Sequence, residues 1–175
     1  MSTANAAGSQ PENSTFTLSR EFNAPRAAVF AAWTECQHLL KWFGPKGMPL
    51  SKCKNDLRVG GTLHYAMRMP DGSDGWGKWT YREIKAPEYL ELIATFSDAE
   101  GNITRNPWKA NWPLQTLSRT TFTEADGKTT VTLAWAPYEA TPEEIAAFTE
   151  PQAQGGMKLG WGGTFDQLDA YLSTL

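Results

Sequence analysis

The stretch MKLGWGGTFDQLDAYL, residues 157–172, sets Met157, Trp161, Phe165, Leu168 and Leu172 three to four positions apart. At 3.6 residues per turn these side chains fall on one face of a helix. It is the longest apolar helical stripe in the chain and it runs to the C-terminal end. Gly160 and Gly162 flank Trp161, at a cost of roughly 1 kcal/mol each relative to alanine. That cost points to a close approach of another element, or to a bend around the indole. Upstream, Pro151 and Gly155-Gly156 are expected to interrupt the pattern.

A long one-sided helix needs a surface to cover, and the preceding sequence supplies one. FTLSREF (16–22) alternates in the manner of a strand. DLRVGGTLHYAMRM (56–69) turns at Gly60-Gly61 and then sets Leu63, Tyr65, Met67 and Met69 on one face, with His64 and Arg68 on the other. PDGSDG (70–75) is a turn signal. KWTYREI (78–84) and EYLELIATF (88–96) flank Ala86-Pro87 as a hairpin, the second arm carrying Leu90, Leu92, Ala94 and Phe96 on one side. SRTTFTEADGKTTVTLAW (118–135) holds Asp126-Gly127 between two alternating runs, and Val131, Leu133 and Trp135 line one face. About six antiparallel strands with one apolar face each require a cover, and the final helix is the element long enough to give it.

Between the first strand and the rest lie two short helices. Pro25 opens one, with Val29, Phe30 and Trp33 on its buried face. In WTECQHLLKWFGP (33–45), Thr34 and Gln37 have the form of a capping box, and Cys36, Leu39, Leu40 and Phe43 form the second stripe. Gly44-Pro45 stops that helix. Near the other end, Thr141-Pro142-Glu143-Glu144 combines a capping box with a first-turn proline.

The chain has 175 residues, 41% hydrophobic and 20% charged, with a net charge of −3. This fits one globular domain over 15–175 behind a small, polar tail, residues 1–14, expected to be disordered. No basic stripe suggests nucleic acid, no apolar run suggests a membrane span, and no secretory leader is expected. Cys36 and Cys53 are read as reduced thiols, which with the missing leader gives a cytoplasmic expectation. The outlying number is eight tryptophans. Two of them, Trp108 and Trp112, stand in AEGNITRNPWKANWP (99–113), a segment that reads either as a lid or as a loop anchored to the sheet by its indoles.

Four motifs taken in order, W-T-x-x-x-x-L-L-x-W-F-G-P (33–45), D-L-R-V-G-G (56–61), Y-R-E-I-x-x-P-x-x-L (81–90) and G-W-G-G-T-F-D-Q-L-D-A-Y-L (160–172), resemble the Hsp90-ATPase-activator-homologue-like family of the START/Bet v 1-like superfamily. The resemblance covers about residues 15–175. It implies an α+β helix-grip fold, in which a curved antiparallel sheet wraps the C-terminal helix and the two short helices close one end. It also implies a cavity for an apolar ligand between sheet and helix. Trp42 and Phe43 would then plug the core end or form the pocket rim. The 99–113 segment looks long and tryptophan-rich for the family.

Chemistry-bearing patterns are few. His38 and His64 read as surface or partly exposed, and no metal-ligand spacing, nucleophile elbow or phosphate loop is present, so no metal, cofactor or catalytic residue is assigned. On KWTYREI, Trp79, Tyr81 and Glu83 alternate onto one face. If that face is concave, Glu83 gives the cavity a buried carboxylate whose protonated form is favoured; the alternative leaves Glu83 in water at the strand end. Ser118 and Thr120 offer hydroxyls in the same way. Trp161 reads either as a ligand contact or as the main sheet–helix contact.

The expected ligand-binding residues are Trp42, Phe43, Met67, Trp79, Tyr81, Glu83, Phe96, Trp135, Trp161 and Phe165. The expected function is binding of a small apolar or aromatic molecule. The family resemblance adds an Hsp90-type chaperone partner or stress-response interaction as an alternative. That alternative is weighed down because in the eukaryotic activators this module follows a separate N-terminal domain. A cyclase- or hydrolase-type enzyme using the same pocket is the other alternative. Ligand identity and oligomeric state are not legible.

Overall fold

The computed structural model describes residues 14–175. The tail expectation for 1–14 therefore lies outside the described residues, apart from Ser14, which is buried. The elements run β1 (Phe16–Phe22), α1 (Arg26–Thr34), α2 (Cys36–Trp42), β2 (Leu50–Asn55), β3 (Thr62–Arg68), β4 (Asp74–Lys85), β5 (Tyr89–Ser97), β6 (Ile103–Thr104), β7 (Thr116–Ala125), β8 (Lys128–Pro137), α3 (Pro142–Thr149) and α4 (Pro151–Leu172). One curved antiparallel sheet takes the order β1-β8-β7-β5-β4-β3-β2, with β6 paired to β5. The long helix α4 lies across it in a helix-grip arrangement, as the apolar stripe predicts. The Asp126-Gly127 hairpin forms as read, both residues taking positive φ.

The core is aromatic. Trp33 of α1 sits at its centre, 2% exposed. Its ring lies 5.0 Å from that of Trp42, 5.8 Å from Phe122, 5.9 Å from Phe165 and 6.3 Å from Trp161, the last in a parallel stack. Phe22 meets Phe165 edge-on at 5.6 Å. Arg20 secures α4 to β1 from the sheet side, pairing with Asp166 at 2.5 Å while its guanidinium lies over the Phe165 ring.

Helix α2 ends where Gly44 turns the chain with φ +116, and a Cβ there would stand 2.4 Å from the Met48 carbonyl oxygen, so only glycine fits. The carbonyls freed at this end, those of Trp42 and Gly44, accept from the Gln167 side chain of α4. The capping box at Thr141/Glu144 forms in full.

Several expectations are corrected. Thr34 does not cap α2: its hydroxyl donates back to the Phe30 carbonyl at 2.8 Å, closing α1, and Glu35 takes the cap position without a side-chain hydrogen bond. Strand β2 was not anticipated; it pairs with β3 through a bulge at Ser51. Helix α4 is continuous from Pro151, running through Gly155-Gly156 without a break. The cysteines are not free thiols. Packing of α2 on β2 brings Cys36 and Cys53 to a Cα–Cα distance of 5.6 Å, and they are joined as a disulfide. The cytoplasmic expectation loses the support it drew from reduced thiols.

Candidate binding cavity

Between α4 and the concave face of the sheet lies a cavity of about 1050 Å³. Two structural choices leave it open. On α4, the residues that line it include Ala153, Gly156, Gly160 and Thr164, small side chains at helical spacing. On the sheet, Gly75 and Gly77 of β4 take the places where larger residues would project inward. The remaining wall is predominantly aromatic and apolar, as in most small-molecule sites, with a few polar and charged side chains such as Asp74, Arg105, Lys109 and Ser118.

The glycines beside Trp161 do not mark a close approach. A Cβ added at Gly160 or Gly162 would meet nothing within 4 Å. What the absent side chains provide at Gly156 and Gly160 is space rather than contact. Trp161 itself both lines the cavity and packs on the core, 6.1 Å from Phe43, 6.4 Å from Trp135 and 5.9 Å from Phe165.

Of the residues expected at the site, Phe43, Met67, Trp79, Phe96, Trp135 and Trp161 line the cavity. Trp42 does not. It is 2% exposed, and its indole N–H donates to the Ala32 carbonyl at 2.8 Å, satisfying one of the acceptors left open at the end of α1. The adjacent aromatics Trp42 and Phe43 thus split: the first side chain plugs the core, the second forms cavity wall. Phe165 is fully buried behind Trp161. Tyr81 is 1% exposed and donates its hydroxyl to Asn55 at 2.9 Å. Burial pushes its phenol above the usual tyrosine range.

Glu83 lies on the opposite side of the sheet. The register with β5 slips between Tyr81 and Glu83, so that Tyr81 faces Leu92 and Glu83 faces Glu91. Arg82 is the extra residue of this bulge, and one extra residue turns every later side chain to the other face. Glu83 pairs with Lys85 at 3.0 Å, with its side chain 44% exposed.

The strand pattern also left useful residues unclaimed. Tyr65 shares its face with Met67 and lines the cavity. Trp33, Met48, Trp76 and Met157 line it as well. Trp33 carried a visible signal as the last aromatic of the α1 stripe. In the 99–113 segment the two indoles have different surroundings, and the anchoring expected of the segment is met by Trp112. Trp108, 65% exposed, stands at the rim with its ring 6.1 Å from Phe96. Trp112 anchors the segment, 5.3 Å from Phe148 and 6.1 Å from Trp135. Arg105 binds the buried Glu144 of α3 at 2.6 Å, and Lys109 pairs with Glu150. Both histidines have structural partners: His38 with the Tyr171 hydroxyl at 2.6 Å, and His64 with the Asp98 carbonyl while its ring stacks on Trp76.

Known structures repeat this architecture. A Mycobacterium smegmatis protein shares 27% identity at a TM-score of 0.73, over 91% of this chain and 90% of its own. An Arthrobacter aurescens protein shares 27% identity at 0.77, over 94% and 88%. A protein of Silicibacter pomeroyi described as AHSA1 has the same fold at 18% identity and a TM-score of 0.67, over 91% and 98%. A comparison with curated proteins finds no match. The model of the family "Activator of Hsp90 ATPase homolog 1-like protein" matches residues 23–173, nearly the whole described chain, and the protein belongs to that family.

Proposed function

We propose that the protein binds a small apolar or aromatic molecule in the cavity between the sheet and α4. The observation that carries this reading is the space itself. Seven of the eight tryptophans line it, yet some 1050 Å³ stays open between them. Burial of apolar ligand surface there is favourable by roughly 25 cal/mol per Å².

The lining residues favour binding over catalysis. With Glu83 outside, the carboxylate among them is Asp74, and it is engaged by Ser51, Lys52 and Arg68. A general acid or base with a free proton position is what the cyclase or hydrolase reading requires. The chaperone reading rests on the family description; a raised Hsp90 ATPase rate on mixing is its test.

The test of binding is titration with N-phenyl-1-naphthylamine, a neutral probe whose fluorescence rises when water is excluded. Wild type is expected to bind it saturably at one site. Trp161→Ala is expected to weaken uptake about tenfold or more, in line with loss of a large aromatic contact, while thermal unfolding stays cooperative. Equal uptake by the folded variant would show that the probe sits elsewhere.

A further inference from the structure

Cavity walls built from indoles and thioethers fix which molecules fit, but orientation inside them depends on the few polar atoms they expose. Tyr65 of β3 supplies one. Its ring lies over Gly77, the residue paired with it on β4. An added Cβ at Gly77 would stand 2.3 Å from the Tyr65 hydroxyl, so glycine is what lets the phenol lie there. Phe43 and Trp79 hold the ring edge-on from two sides, at 5.8 and 6.0 Å. Burial raises the pKa of the phenol, and the Trp79 side chain packed beside it draws that pKa down by less. The hydroxyl proton has no protein acceptor among the described residues, whereas the Tyr81 and Tyr89 hydroxyls donate to Asn55 and Glu91. Burial keeps the Tyr65 phenol protonated, pushing its pKa up to about 12.

The charged groups near the cavity are already matched. Asp74 is held by Ser51, Lys52 and Arg68, Arg105 by Glu144, and Lys109 by Glu150. Among the described residues that line the cavity, an ionic ligand would find no free counter-charge, and burying an unpaired ion is costly. The side walls present aromatic rings, Trp33, Phe43, Trp79, Trp135 and Trp161, which favour offset or edge-on contact with another flat ring.

We propose that the Tyr65 hydroxyl is the hydrogen-bond donor that orients the ligand, and that the ligand is a neutral, flat aromatic molecule bearing a carbonyl-type oxygen. This rests on the binding reading above and narrows it. The oxygen sits over Gly77 and accepts from Tyr65, while the ring system extends toward Trp161.

Two probes of one skeleton test it. 9-Fluorenone and fluorene differ by a carbonyl in place of a methylene, and each is measured by displacement of N-phenyl-1-naphthylamine. Wild type is expected to prefer 9-fluorenone about 3- to 10-fold, the range of one net neutral hydrogen bond. In Tyr65→Phe the preference is expected to vanish or invert while fluorene affinity is unchanged, and Ser118→Ala, which removes a different lining hydroxyl, is expected to retain it. A preference that survives in Tyr65→Phe, is lost in Ser118→Ala instead, or is missing in wild type overturns the assignment and leaves the cavity reading intact. If neither compound, nor the dye, is taken up, the cavity reading fails and the inference goes with it.

Discussion

At the scale of the residue, neighbouring aromatics divide between support and site. Trp42 spends its indole N–H on the Ala32 carbonyl and is sealed in the core, while Phe43, one position on, faces the cavity. The difference is testable. Trp42→Phe removes ring volume and leaves the Ala32 carbonyl without its donor, so stability is expected to fall by about 2–3 kcal/mol. Probe affinity is expected to stay within about twofold, because the cavity wall is untouched. Phe43→Ala takes away wall and is expected to change affinity first. Denaturant unfolding and dye titration of the two variants give both readouts. A Trp42→Phe variant that loses binding at unchanged stability would place the indole in the site after all. Single residues also decided what sequence reasoning could see. Leu90, Leu92, Ala94 and Phe96 share a face because β5 keeps its alternation. Glu83 broke the same rule because Arg82 is bulged out, and nothing in YREI signals an extra residue.

At the scale of the element, α4 is stable in spite of its composition. Gly155, Gly156, Gly160, Gly162 and Gly163 all lie inside it. Its lower half is fixed by Phe165, Leu168, Gln167 and Asp166, which meet the sheet, α2 and Arg20. Its upper half lines the cavity. Glycine there trades helix propensity for ligand space, and Gly160→Leu separates the two. The substitution is expected to add up to about 1 kcal/mol of stability, from propensity, and to lower probe uptake several-fold by filling the cavity. Higher stability with unchanged uptake would mean that the new side chain points to solvent. The helix itself was legible in its i, i+4 stripe, and so was its role as the sheet's cover. The meaning of its glycines was not, because a gap left for a ligand and a gap left for a neighbouring backbone read alike in one dimension. The Cys36–Cys53 pairing was hidden for a similar reason: it depends on α2 lying on β2, a strand the pattern did not reveal.

At the scale of the whole molecule, the same burial that builds the cavity sets its response to pH. The Tyr65 and Tyr89 phenols are both pushed up to about 12, chiefly by burial, and for Tyr89 also by the neighbouring Glu91 carboxylate. The Tyr81 phenol is raised as well, through burial. An unfolded chain releases these protons near pH 10. Between about pH 10 and 12 the folded state therefore binds more protons than the unfolded state, and stability falls as pH rises through that window. On the acid side the sign reverses. Ser73 holds Asp71 low, Ser51 and Lys52 hold Asp74 low, and Asn102 holds Asp98 low. Burial alone would raise Glu91, but the hydrogen bonds from Tyr89 and Arg119 keep it below its usual value. These carboxylates contribute stability above their unfolded pKa values, roughly 4, and that contribution is lost as pH falls. Urea midpoints are therefore expected to form a plateau from about pH 5 to 10 with a fall on either side. Absorbance at 295 nm should show the buried phenolates appearing together with unfolding. Tyr65→Phe is expected to move the alkaline edge upward and to leave the acid edge in place, since it removes one proton release and no carboxylate. Tyrosines that titrate near pH 10 in a chain still folded by circular dichroism would show that water reaches them, and the cavity would then be wetter than its aromatic walls imply.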